Sequence, residues 1–117
     1  MQHEALREEW AQRDVWQEPG RVVEALALRP GQVVADLGAG KGYFSHHLAA
    51  AVAPDGRVLA LDINEEALRI NCEMAALLGA HRIESRVVPP DDPDLAAAEV
   101  DVIFLCRRPG AAQGRLL

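Results

Sequence analysis

The sequence predicts an α/β fold built on a parallel sheet. Three observations carry this expectation. Short apolar runs alternate with stretches of helical periodicity, in the order α–α–β–α–β–α–β–loop–β. The strand runs are apolar nearly throughout rather than alternating, which implies burial on both faces. Glycine, proline and aspartate clusters mark most of the changes of period. A chain of 117 residues, half of it hydrophobic, is one domain by default and can bury a genuine core.

The elements follow in order, with residues 1–30 as a helical lead-in, 31–106 as the core and 107–117 as a tail without pattern. Residues 2–13 are charge-rich and compatible with a helix. "VWQEPG" interrupts them with Pro19 and Gly20. "RVVEALAL" places Val22, Val23 and Leu26 at helical spacing, so a short amphipathic helix is expected before "RPGQ" ends it. "VVADL" is a buried strand. "YFSHHLAAAVA" is a helix, "PDG" a turn and "RVLALD" a second strand. In "NEEALRINCEMAALLG", Asn64 can cap a helix, Glu65 and Glu66 fall in its first turn, and Gly79 can close it. "RIESRVV" is a weaker third strand, "PPDDPDLAAAE" a loop with one helical turn at most, and "VDVIFLC" a fourth strand. Strands alternating with helices imply right-handed crossovers.

Composition narrows the function classes. The formal charge is −6 with no long basic run, which argues against a dedicated nucleic-acid binder without excluding an enzyme that acts on one. Cys72 and Cys106 make no disulfide framework and sit in apolar patterns, so both are expected as buried free thiols. No apolar stretch reaches the ~18 residues of a membrane span, and "MQHEALREEW" lacks a signal-peptide core, so a cytoplasmic protein without membrane contact is expected. His46 and His47 are helix neighbours expected on different faces, and no metal site is expected. Trp10 and Trp16 are expected to pack the lead-in over the sheet.

The stretch "DLGAGKGYF" is the most informative. Glycines between a first strand and a helix let backbone approach a ligand closely. A phosphate-cradling loop would need Gly-Lys-Ser/Thr, yet Gly42 and Tyr43 follow Lys41. A dinucleotide fingerprint would need G-x-G-x-x-G, yet Tyr43 stands where its third glycine belongs. The pattern resembles motif I of class I S-adenosylmethionine-dependent methyltransferases, D/E-x-G-x-G-x-G. This resemblance implies that Asp36, Gly38, Ala39, Gly40 and Gly42 bind S-adenosylmethionine. A carboxylate at Asp36 would repel a pyrophosphate but suits a ligand carrying an ammonium and a sulfonium. Lys41 departs from the small hydroxyl residue common in the family and is expected to face solvent.

"RVLALD" ends in Asp62, 22 residues beyond Gly40, where an acidic residue can accept hydrogen bonds from a ribose diol. Ile63 would then lie along the adenine face. The resemblance further implies an acidic residue after the third strand against the adenine amino group, with Asp91 and Asp92 equal candidates. The stretch from Arg13 to Ser45 is similar to the lead-in of such methyltransferases, which implies that it also covers the cofactor.

The resemblance spans roughly residues 9–106 and implies a Rossmann-like three-layer sandwich, the N-terminal half of a seven-stranded fold, apparently truncated after the fourth strand. The fourth strand would then be an exposed edge, favouring a homodimer, coverage by the tail, or poor solubility. The acceptor half of the family fold has no counterpart here, so no catalytic residue is identified. The expected function is methyl transfer to an unknown acceptor, taken as a small molecule. The alternatives are a non-catalytic cofactor-binding or interaction module and, less favoured, an NAD-binding Rossmann protein.

Overall fold

The computed structural model describes residues 3–80, 82–89 and 99–105. Two helices lead in, α1 (Glu4–Gln17) and α2 (Pro19–Ala25). They are followed by β1 (Val33–Leu37), α3 (Tyr43–Val52), β2 (Arg57–Asp62), α4 (Glu65–Leu78), β3 (Ile83–Val87) and β4 (Val102–Leu105). The four strands form one parallel sheet in the order β3-β2-β1-β4. The fold is the expected α/β, Rossmann-like arrangement.

Strand alternation assigns the faces. Val34 pairs with Val58 and Val102, and Asp36 with Ala60 and Phe104, so these side chains share one face. The helices cover that face. Trp10 of α1, Phe44, Leu48 and Val52 of α3 and Met74 of α4 pack with Val34, Val58 and Phe104 in one buried cluster. Burying each such large apolar side chain stabilises the fold by about 1.5–3 kcal/mol. The opposite face carries a smaller buried cluster of Ala35, Leu59, Leu61 and Val88. Among the described residues no helix packs on this face, so two of the three expected layers are described.

Burial on both faces holds for β1 and β2, whose interior residues are all buried. It fails for β3 and β4. Val87 is 51% exposed and Ile103 39%. Both strands are sheet edges among the described residues, so they have a strand neighbour on one side only.

The lead-in helix runs further than its charge pattern suggests. α1 continues through Val15, Trp16 and Gln17, and the break comes only at Glu18, in a left-handed conformation with φ 49°. Proline disfavours helical backbone at the residue directly before it, here Glu18, and Pro19 itself opens α2 at its first turn. At α4 the caps fall where expected. The Asn64 side chain accepts from the Ala67 N–H at 3.0 Å, and Gly79 closes the helix at φ 70°.

Two further expectations are corrected. Cys72 is exposed, because it lies one position off the buried stripe of Leu68, Asn71 and Met74 on α4. Trp10 packs under α1 at 6% exposure, but Trp16 is 55% exposed. Six residues at about 100° each put the two rings on different sides of the helix. Cys106 lies outside the described residues.

Candidate functional site

The strand order places β1 between β2 and β4, so the chain reverses its direction of travel across the sheet at β1. Ligands of open α/β sheets bind outside the carboxyl ends of the strands at such a point. The glycine loop sits there. Its backbone is pinned to the neighbouring strand, with the Gly38 and Ala39 N–H groups both donating to the Leu61 carbonyl at 2.8 and 3.0 Å.

Gly38, Gly40 and Gly42 have φ values of 71°, 55° and 102°, all in the left-handed region that favours glycine. Gly42 has a second constraint. A Cβ there would stand 2.8 Å from the Asn71 side chain. At Gly38 and Gly40 a Cβ would meet no protein atom closer than 3.9 Å, so the space beside them is open.

The loop separates two clefts. One, of about 360 Å³, lies on the helix-covered face. It is lined by Asp36, the stretch Gly38–Lys41, and Glu9, Trp10, Arg13 and Trp16 of α1. The lead-in thus forms one wall of this cleft. The other, of about 430 Å³, is lined by Leu37, Gly38, Leu61, Asp62, Ile63, Val88, Pro89 and Leu105. Gly38 borders both.

Asp36 is buried at 3% exposure and accepts a hydrogen bond from the Ser45 hydroxyl at 2.7 Å. Burial pushes its carboxyl up from the usual carboxylate range to about 7, with Ser45 opposing and the nearby Asp62 charge adding to the rise. The buried Asn71 amide donates to the Ser45 hydroxyl at 3.1 Å and to the Gly40 carbonyl at 3.3 Å. This Asn71–Ser45–Asp36 chain ties α4, α3 and β1 together beneath the loop. Sequence reading missed both Asn71 and Ser45. A signal existed for Asn71: it is a polar residue inside the apolar stripe of α4.

Asp62 holds the other side of the loop. Its Oδ2 accepts from the Gly40 N–H at 2.7 Å and its Oδ1 from the Asn64 N–H at 2.9 Å. It is therefore a turn-forming residue already. A carboxylate offers about four acceptor positions, so two remain for a ligand. Ile63 follows at 60% exposure, an apolar side chain presented to the second cleft. Lys41 is exposed, as expected. Asp91 and Asp92 lie outside the described residues.

The start of α3 locks α1 in place. The Tyr43 hydroxyl donates to Asp14 at 2.6 Å, and the His46 ring stacks on Trp10 with centroids 5.1 Å apart. The His46 and His47 rings lie 4.0 Å apart, so these neighbours do share a surface, contrary to expectation. Burial, and then the neighbouring His46, push His47 down to about 4. Burial also lowers His46. Among the described residues no group of three or more His, Cys, Asp or Glu could hold a metal ion. No described helix is long and apolar enough to cross a membrane.

A parallel sheet of this order, with an acid near the end of β1, three left-handed glycines after that strand and a second acid ending β2, is that of a Rossmann-like domain. The family model described as "Methyltransferase domain" matches residues 28–110, and the chain belongs to that family. The nocamycin O-methyltransferase of Saccharothrix syringae is 31% identical over 83 residues, 71% of this chain and 30% of that protein. A SAM-dependent methyltransferase from Aquifex aeolicus superposes with a TM-score of 0.69 at 30% identity, over 74% of this chain and 46% of that one. A Haemonchus contortus phosphoethanolamine N-methyltransferase, solved with phosphoethanolamine and S-adenosylhomocysteine, shares the fold. Its TM-score is 0.67 at 24% identity, over 81% of this chain and 19% of that one. The chain thus spans less than half the length of each of these relatives.

Proposed function

We propose that this chain binds S-adenosylmethionine across the glycine loop and forms the cofactor half of a methyltransferase acting on a small-molecule acceptor. The single observation that carries this reading is the placement of Gly38 between a charged cleft and an apolar one, each with its own carboxylate. That division matches a ligand with a zwitterionic amino-acid end and a flat nucleoside end.

In this reading Asp36 meets the ammonium group, and the bare backbone of Gly38, Ala39, Gly40 and Gly42 admits the methionine chain. The free acceptor positions of Asp62 take the ribose hydroxyls. Ile63 covers one adenine face, and Asp91 or Asp92 meets the adenine amino group. The cofactor supplies an activated methyl carbon open to displacement. The work left to the chain is to hold that carbon in line with the acceptor and to exclude water. Burial of Asp36 and the wall formed by α1 suit both tasks. A base is required only where the acceptor must lose a proton.

The exposed thiol of Cys72 suits a reducing compartment such as the cytoplasm. The edge of β4, with Ile103 39% exposed, suits pairing with a second copy of the chain. Sedimentation at micromolar concentration is expected to show a dimer, and a monomer with a protected β4 would exclude this pairing.

Titration calorimetry tests the cofactor reading. S-adenosylhomocysteine is expected to bind, with about tenfold or greater weakening in Asp62→Ala through lost charged hydrogen bonds. A second reading, a nicotinamide-dependent protein, has Asp36 and the glycine spacing against it. Heat with NAD and none with S-adenosylhomocysteine would select it instead.

A further inference from the structure

Arg13 of α1 has an unusual setting. The chain carries 18 acidic residues against 12 basic ones, yet Arg13 forms no ion pair among the described residues. Glu9 lies one helical turn before it, and the two do not pair. The guanidinium carbon of Arg13 instead sits 4.0 Å from the centroid of the Tyr43 ring and 5.8 Å from that of Phe44. Tyr43 is itself held by its hydrogen bond to Asp14. An aromatic face orients a guanidinium without consuming its N–H donors, which remain in its plane.

Arg13 lines the charged cleft, as does Asp36. A buried acid and an oriented cation bordering one cleft complement a zwitterion, an ammonium beside a carboxylate. Asp36 accounts for the ammonium. Two cations line the cleft, Arg13 and Lys41. Lys41 is exposed, whereas Arg13 is half-buried with its guanidinium held over the Tyr43 ring. The fork of a guanidinium also matches a carboxylate in two parallel hydrogen bonds, which an ammonium cannot do.

We propose that Arg13 binds the carboxylate of the amino-acid end of the cofactor, so that the lead-in helix reads that end of the ligand. This rests on the cofactor reading above. It makes α1 a recognition element as well as a cover.

The test compares S-adenosylmethionine with its decarboxylated analogue, which keeps the adenosine, the sulfonium and the ammonium. Affinities are measured by calorimetry on the full chain. The wild type is expected to prefer S-adenosylmethionine by about tenfold or more. Arg13→Gln is expected to erase that preference, lowering S-adenosylmethionine to the level of the analogue while the analogue changes by less than about twofold. Arg13→Lys, which keeps the charge but not the fork, is expected to retain part of the preference and serves if Arg13→Gln does not fold. Equal weakening of both ligands in Arg13→Gln would mean that the residue only builds the wall, and would overturn the assignment. So would loss of the preference in Lys41→Gln but not in Arg13→Gln. If the wild type binds neither ligand, the cofactor reading falls first and the assignment with it. If it binds both equally, only the assignment falls.

Discussion

The two clefts that meet at Gly38 differ in nearly everything except the backbone between them. The cleft against α1 holds Asp36, Glu9, Arg13 and Lys41, so it is charged and of both signs. The cleft on the other side is walled by Leu37, Leu61, Ile63, Val88 and Leu105, with Asp62 at its rim. One loop therefore serves two environments at once. Under the proposed cofactor reading, the difference teaches how a short chain would distinguish the ends of a single ligand: charge stands where that ligand carries charge, apolar surface where it is flat, and both hinge on a residue that has no side chain.

The largest expected disturbance comes from the loop itself, where Gly42 is packed against the Asn71 side chain. In Gly42→Ala a methyl group would stand 2.8 Å from Asn71 on a backbone with φ 102°. Overpacking and left-handed strain together predict a loss of roughly 3 kcal/mol in unfolding free energy. Chemical denaturation measures it. A change below about 1 kcal/mol would show that Asn71 can move aside, because relief of such a clash leaves only the backbone term.

A smaller and one-sided effect is expected at Asp36. Its carboxyl, held at about 7 by burial, must give up its proton to pair with an ammonium group. Affinity for S-adenosylhomocysteine should therefore rise roughly tenfold between pH 6 and pH 8. Asp36→Asn should bind more weakly and without that slope. Methylthioadenosine, which lacks the amino-acid end, should bind both proteins alike at either pH. Equal pH slopes for the two ligands would erase the distinction between the clefts. Stability moves the opposite way with pH. A carboxyl whose folded value is raised stabilises the fold fully below its ordinary range near 4 and loses that contribution as pH rises through about 7. The unfolding free energy of the wild type should thus fall over that interval by more than that of Asp36→Asn.

Much of this arrangement was legible in the residues. "VVADL" and "RVLALD" match β1 and β2 residue for residue, because buried central strands are continuous apolar runs ended by an acid or a turn. Asn64 and Gly79 cap α4 because capping depends on local chemistry alone. The positions of Asp36 and Asp62 at the carboxyl edge of the sheet were legible for a related reason: each falls in the last two residues of its strand. What escaped depends on tertiary placement. Asn71 reaches Ser45 only because α3 and α4 lie side by side over the sheet, a contact between residues 26 positions apart. The exposure of Cys72 and Trp16 turns on helix phase, which an apolar neighbourhood does not reveal. α1 extends to Gln17 because the helix breaks only at Glu18, the residue directly before Pro19, where proline disfavours helical backbone.

The most direct test of the account is an amide chemical-shift titration with S-adenosylhomocysteine. If one ligand spans the loop, the amides of Gly38, Gly40 and Lys41 should shift together with those of Ile63 and Val88 on the far side, all with one dissociation constant. Shifts confined to one cleft, or none at all, would contradict it.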